Sequence, residues 1–546
     1  LISESFKKGK ISESRLSSSV KKILSLKAKS NLKNFKNIST ENILSKVNTS
    51  KDTLLYSKAM SSAITLVKNT NNILPLTNNK KYLHVAFGEN DRGDHLYDKM
   101  NKYLNVDTYT NDDITPLFNK TKYDGILISY HGSSKSPYAS NIIPKEIVEK
   151  INSISVNNNV VLNLFLNPYS LNSFKSIENF ESIVIGYQNN MISQEVLADL
   201  LFGVSSFKGK IPVSNNFFKV NHGLTFNKKN IIGFSRPSYE GFDTARLSYL
   251  DSIAKNAIDS MMTPGIQMLV SRKGKIVYNK SFGYHTYEKV NKLENNHVFD
   301  LSSITKILAT MPLVLQEFDN KNISLETNLS ELFPKKKLNE KGSISIKEML
   351  SHYARLRPWI PFYEETLNRK EKPKSRFYKS NSKSTFSTRV SENLFLKSNY
   401  REKIFKSILD SELRDTLEYK YSDLPFYFLK FWFEDLYNKP LNILANEKIF
   451  EPLGLKRTMF NPHESISLEE IVPSERDDFF RHSKLHGYVH DEGAAMLGGI
   501  SGHAGLFSNA YEVAIVLQAM IQKGSYNNQR LFSENSFNTF NYCYYC

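Results

Sequence analysis

Between residues 52 and 235 short apolar runs alternate with stretches of helical length. The runs 82–87 (YLHVAF), 124–130 (DGILISY), 160–166 (VVLNLFL) and 183–187 (IVIGY) read as buried strands, with 144–153 and 193–203 as helical connections. Strands separated by helices predict an α/β layer built on a mostly parallel sheet covered on both faces. Upstream, Leu16, Val20, Ile23, Leu24 and Leu26 recur near a 3.6 period behind a candidate cap, Ser12, so residues 12–32 predict one amphipathic helix. Downstream the pattern changes. The Gly/Ser turn cluster at 203–214 leaves the layer, and 236–246 forms a polar junction. A helix at about 243–259 then leads into two β-rich runs within 265–284, joined at Lys273-Gly274, which predicts a hairpin. A helix laid on an antiparallel sheet makes this second region α+β. Near the end, Val513, Ile515, Val516, Met520 and Ile521 predict a helix over 509–522.

A length of 546 residues calls for at least two cores, and 40% hydrophobic residues supply the material. That composition excludes a disordered, collagenous or disulfide-stapled chain. No run approaches the ~18 apolar residues of a membrane-spanning helix. The formal charge of +17 suggests a nucleic-acid partner until it is located: residues 1–50 carry +8 and residues 369–406 carry +9, leaving the rest balanced. The stretch 369–406 is expected to be a solvated insertion, one that could attract an anionic polymer. The only cysteines are Cys543 and Cys546, and a lone CxxC lacks the further ligands a zinc site needs. No GxGxxG or GxxxxGK[ST] follows a strand, so no nucleotide is implied. No cofactor and no metal are expected.

The chemistry concentrates in 297–318, HVFDLSSITKILATMPLVLQEF. Ser303 and Lys306 form S-x-x-K, and on a helix positions i and i+3 share a face. A lysine there can take the serine's proton, or tune the group that does, which makes the hydroxyl a nucleophile. The spacing alone equally describes a capping serine beside a solvated lysine.

The order of further motifs separates these readings. The hairpin, S-x-x-K, SISIKEML at 343–350, Tyr421-Ser422-Asp423 and EPLGLKRTMFNP at 451–462 together resemble the serine β-lactamase and penicillin-binding-protein superfamily, especially its class C-like members, over 240–546. The resemblance implies an acyl-enzyme hydrolase acting on an amide or ester. Ser303 is then the nucleophile, Lys306 its partner, and Tyr421 the proton shuttle. A phenol serves that role near neutral pH only if neighbouring cations such as Lys306 depress it. Asp423 stands where the family carries Asn, a departure that bears on substrate preference. The family's third motif, K/H-T/S-G on a late strand, has one candidate, His503-Ala504-Gly505. That segment reads better as a glycine-rich turn before the 509–522 helix, so the third motif is expected beyond Cys546 and the site of this chain is expected to be incomplete.

A second resemblance covers roughly residues 9–215. AITLVKN at 63–69, ILPL at 73–76 and LLFGVSSFKGKIPVS at 200–214 resemble the C-terminal α/β sandwich domain of glycoside hydrolase family 3. The opening helix resembles the last helix of that family's barrel. The expected organisation is therefore 1–35 as the end of a barrel, 36–238 as the α/β sandwich, and 239–546 as the serine hydrolase, within a longer bacterial fusion protein. A parent that is a β-N-acetylhexosaminidase with an accessory domain, and a non-catalytic glycan-binding module, are the alternatives. Glycoside hydrolysis needs two placed carboxylates, and Asp91, Asp94, Asp112 and Asp113 fall in expected loops as solvated surface. The expected partner is a small-molecule, glycan or peptide substrate, cell-wall related, and the expected location is periplasmic or exported, with any signal segment upstream of Leu1. Among single residues, His352 is expected to hydrogen-bond structurally, and the run Trp359–Tyr363 to pack. His486, His490, His503, Asp491 and Glu492 lack a metal-ligand spacing.

Overall fold

Four apolar runs become the centre of one six-stranded sheet in the computed structural model, which describes residues 1–546 apart from 35–38, 78, 90–93, 110, 112, 134–140 and 546. The strands are β1 (Thr65–Asn69), β2 (Tyr82–Gly88), β3 (Asp107–Thr108), β4 (Gly125–His131), β5 (Val160–Phe165) and β6 (Phe180–Ile185). Their order is β1-β6-β5-β4-β2-β3, with β1 antiparallel to β6 and the other pairs parallel. Alternate side chains enter opposite cores. Leu83, Ile126, Ile128, Leu162 and Ile183 pack on one face with the helix Lys145–Asn157. Leu127, Val161 and Val184 pack on the other with the helix Met191–Leu201. Burial on both faces explains why these strands read as nearly continuous apolar runs rather than alternating ones.

Residues 1–55 form a compact unit of their own. Its main helix, Glu13–Lys29, is capped as expected, Ser12 Oγ accepting from the Arg15 N–H at 3.2 Å. Val20, Ile23, Leu24 and Leu26 on that helix are exposed.

Within the remaining unit the chain passes from the α/β layer to the second region through β7 (Gly233–Phe234), which joins a new sheet instead of forming a free linker. β8 (Gly265–Arg272) and β9 (Lys275–Gly283) make the expected hairpin, turned at Lys273 and Gly274, both with positive φ. The sheet order is β7-β9-β8, β7 lying parallel to β9. Ile232 N donates to Tyr526 Oη, and Asn230 is held by Ser525, Gln522 and Asn528. The helix Tyr249–Asp259 packs against β9, as the amphipathic pattern predicts.

A second small sheet pairs β10 (Phe299–Asp300) and Met459–Phe460 on either side of Leu506–Ser508. The helix Leu424–Tyr437, buried at every residue from Leu424 to Phe433, runs through this region's core. The stretch 369–406 departs from expectation. It folds into a three-stranded sheet and the start of the helix Tyr400–Asp410, burying Tyr378, Val390, Leu396 and Ile404. Its basic residues occupy mostly half-buried or exposed positions, several paired as in Lys403 with Glu365. The charge is a solvated face on a packed element.

Candidate active site

Ser303 sits in a 3-10 turn, Ser302–Ile304, that continues through a π turn, Lys306–Thr310, into the α-helix Met311–Asp319. Single π turns recur at functional sites because they re-aim side chains along a helix. Ser302, with φ of 46°, begins the turn in the left-handed region, where a non-glycine residue is strained. Asp300 holds it there: Oδ1 accepts from Ser302 N at 2.9 Å and Oδ2 from His490 N at 2.6 Å. Burial pushes the Asp300 carboxyl above its usual range, and those two N–H groups oppose the shift.

The i, i+3 geometry expected of S-x-x-K is present. Lys306 Nζ donates to Ser303 Oγ at 2.9 Å, and Ser303 itself is exposed. The lysine side chain is 4% exposed, and its ammonium meets two further acceptors. Asp423 Oδ1 lies at 2.7 Å, as an ion pair rather than an aligned hydrogen bond. The His503 carbonyl oxygen lies at 3.2 Å. The ammonium also stands over the Tyr421 and Phe426 rings, 5.0 and 5.4 Å from their centroids.

Tyr421 and Asp423 arrive on the segment preceding the helix Leu424–Tyr437. That segment is fixed to the loop 352–358: Asp423 N donates to Pro358 O at 2.9 Å, Ser422 Oγ to Arg357 O at 2.6 Å, and Ser422 N to His352 Nδ1 at 3.2 Å. Burial, then the Lys306 charge, lowers the His352 pKa. A neutral ring with an acceptor at Nδ1 fits both that shift and the hydrogen bond. The His352 ring lies 4.7 Å from the Tyr421 ring.

Ser303, Tyr421 and Asp423 therefore all meet the Lys306 ammonium. Ser303, Lys306, Tyr421 and His352 line a cavity of about 320 Å³ together with Lys347 and Phe426. Phe540, Tyr542 and Tyr544 form its other side. A larger depression, about 830 Å³, follows the helix Glu13–Lys29 and is walled only by its serines, lysines and Leu26.

Other expected residues scatter. His486 donates to the Leu468 and Ile471 carbonyls, and His490 pairs with Glu475 at 2.8 Å. His503 pairs with Asp491 at 2.9 Å. Among the described residues no group of three or more His, Cys, Asp or Glu could hold a metal ion. Asp94 and Asp113 are exposed, Asp113 accepting from Thr115 at 2.9 and 2.7 Å, while Asp91 and Asp112 lie outside the described residues. Of 359–363, Trp359 is exposed and Phe362 is buried, and Tyr363 stacks on Phe480. Of the two cysteines, Cys546 lies outside the described residues. The segment 503–505 is a turn, followed first by the strand Leu506–Ser508 and then by the helix Ala510–Ile521. Sequence reasoning missed three contributors, namely Asp300, the His503 carbonyl and Lys347. Only Asp300, three residues before the serine, had a local signal.

The family model for Beta-lactamase matches residues 251–538, more than half of the chain, and the chain belongs to that family. A Salmonella agona protein named "Putative D-alanyl-D-alanine carboxypeptidase" is 29% identical over 335 residues, 56% of this chain and 71% of that protein. Two solved structures align with TM-scores below 0.5. The penicillin-binding protein homologue from Pyrococcus abyssi gives 0.40 at 17% identity over 54% of this chain and 59% of its own. A class C beta lactamase from Rhodobacter sphaeroides gives 0.38 at 13% identity over 54% and 70%. Among the described residues no helix is long and apolar enough to cross a membrane.

Proposed function

We propose that this chain is a serine hydrolase that cleaves an amide or ester at the end of a cell-wall peptide through an acyl-enzyme on Ser303. The observation that carries the reading is the 2.9 Å contact between Lys306 Nζ and Ser303 Oγ in an open cavity. Ser303 Oγ attacks the carbonyl carbon while Lys306 gives up one ammonium proton, by way of Tyr421, to the leaving amine or alcohol and takes the serine proton in exchange. Water then cleaves the acyl-enzyme, the same groups moving the proton in reverse. Lys347 in the cavity wall favours a substrate bearing a carboxylate, and the carboxypeptidase name of the Salmonella relative agrees with a peptide of that kind. An exported location follows from such a substrate.

For the α/β layer the same reading keeps the family 3 glycoside hydrolase sandwich as its origin, supported by the mostly parallel sheet and the residues quoted above, with no glycosidase activity of its own. A fluorophosphonate or fluorescent penicillin probe tests the main proposal. It should label wild type at Ser303 and leave Ser303→Ala unlabelled; no labelling even in a chain extended beyond Cys546, or equal labelling of both, overturns it. Release of nitrophenol from its N-acetylglucosaminide by this chain would contradict the second part.

A further inference from the structure

Two of the three acceptors around the Lys306 ammonium are side chains of the candidate site. The third, His503 O, is main chain, so its position depends on what fixes the segment 501–506. That segment lies along the turn and helix bearing Ser303 and is bonded to them repeatedly. Leu301 N donates to Leu506 O at 2.9 Å, Leu506 N to Thr305 Oγ1 at 3.1 Å, and Thr310 Oγ1 to Gly502 O at 2.6 Å. On its other side Gly502 lets the segment close on the helix Leu424–Tyr437, because a Cβ there would stand 2.3 Å from the Phe426 carbonyl oxygen.

The His503 side chain is held on several sides. Nε2 is 2.9 Å from Asp491 Oδ1, Nδ1 is 2.9 Å from Ser501 Oγ, and the ring stacks on Tyr427 with centroids 4.4 Å apart. The residue is 1% exposed. Asp491 also accepts from Ala494 N at 2.7 Å, capping the short helix that follows. Burial acts to raise the Asp491 carboxyl, but the His503 charge and hydrogen bond, with the Ala494 N–H, outweigh it and hold the group well below the usual range. An ionised carboxylate only accepts, so His503 Nε2–H is the donor. The side chain is thus anchored at both ring nitrogens, and the carbonyl of the same residue, on a segment whose flanking residues are bonded to the Ser303 turn, accepts from Lys306 Nζ at 3.2 Å.

We propose that the buried His503–Asp491 pair is the positioning element for Lys306, fixing through the His503 carbonyl where the ammonium stands relative to Ser303. This rests on the serine-hydrolase reading of Ser303. Neither residue of the pair lines the cavity that holds Ser303. Its role is to keep Lys306 within reach of the nucleophile, where a misplacement of about 1 Å can cost 10²-fold in rate.

The test separates the covalent rate constant for labelling Ser303 with a fluorophosphonate from the reversible binding constant of the probe, in the intact chain, alongside thermal melting. His503→Ala and Asp491→Ala should slow the covalent step about 10–100-fold with binding changed less than about twofold. His503→Gln, whose amide can still donate to Asp491, should recover most of the rate. A structural role alone would lower the melting temperature and the fraction labelled, but leave the rate constant of the folded molecules unchanged, and that result overturns the proposal. Should the alanine variants not fold, His503→Phe carries the test, since it keeps a buried ring against Tyr427 while removing both ring nitrogens that bond Asp491 and Ser501. A slower covalent step in that variant supports the proposal and an unchanged one overturns it. A wild type unlabelled at Ser303 even when extended beyond Cys546 overturns the hydrolase reading and this inference together, whereas a labelled wild type with unaltered variants overturns the inference alone.

Discussion

Asp423 stands 2.7 Å from Lys306, facing it with a full negative charge from a position where the resemblance to penicillin-binding proteins leads one to expect a neutral amide. The lysine is 4% exposed and the aspartate 21%, so the pair is poorly screened by solvent. Asp423→Asn keeps the shape and removes the counter-charge, leaving the ammonium with Ser303 Oγ and His503 O as neutral acceptors. The expected cost is about 1–3 kcal/mol of stability, the range for leaving a buried polar group without its partner. Urea denaturation of the two proteins at pH 7 measures it; an equal or more stable variant would show that the pair contributes nothing to the fold.

Lys306→Arg distinguishes charge from proton transfer. The guanidinium keeps the positive charge opposite Asp423 but does not give up its proton at accessible pH. If Lys306 moves the Ser303 proton, labelling of Ser303 should fall by about 10²–10⁴-fold. Circular dichroism should remain native, since the ion pair survives. A variant that labels at the wild-type rate would restrict Lys306 to electrostatics.

What the sequence could reveal tracks how far apart the cooperating residues lie. Ser303 and Lys306 were legible because three residues of helix bring them together whatever the rest of the chain does. Strands β2, β4, β5 and β6 were legible because burial on both faces leaves nearly continuous apolar runs such as Val160–Phe165, interrupted only by Asn163. Strands of two or three residues, such as Phe299–Asp300 and Leu506–Ser508, are too short to show a period, yet they carry Asp300 and adjoin His503. Tyr421 and Asp423 needed the family resemblance, since nothing local marks them. The pairing of Asp491 with His503 depends on tertiary proximity, and the stretch 369–406 hid its buried Tyr378 and Leu396 among lysines.

Two buried histidines make stability sensitive to acid. Burial first, and the His297 ring 2.7 Å away second, lower His285 to about 4. Burial, with His131 beyond Ser129, lowers His84 to about 3. Because the folded values lie below the unfolded one, the unfolded chain takes up protons that the folded chain refuses. Their contribution is therefore complete above about pH 6.5, the unperturbed histidine value, and is lost as pH falls toward the folded values. The slope is about 1.36 kcal/mol per pH unit per histidine, so roughly 2 kcal/mol each by pH 5. Urea denaturation at pH 7 and pH 5 should show this loss, and His285→Phe should reduce it for the second region. An identical pH slope in that variant would rule His285 out as a source.

Lys347 bears on which substrates the cavity prefers. It lines the same cavity as Ser303, and among the described residues lining that cavity there is no aspartate or glutamate. A peptide ending in a carboxylate would therefore find a cation without an acidic competitor in the wall, while an amidated or esterified terminus would gain nothing from it. Lys347 is only half-buried, so water weakens the attraction. Lys347→Gln keeps most of the side chain and removes the charge. For a substrate with a free terminal carboxylate, kcat/KM should fall about tenfold, the equivalent of about 1.4 kcal/mol, and the change should lie in KM because Lys347 does not contact the reacting atoms. For the matching C-terminal amide the same variant should match wild type. Equal losses on both substrates would show that the substitution disturbs the cavity itself, and no loss on either would place the substrate's terminus elsewhere.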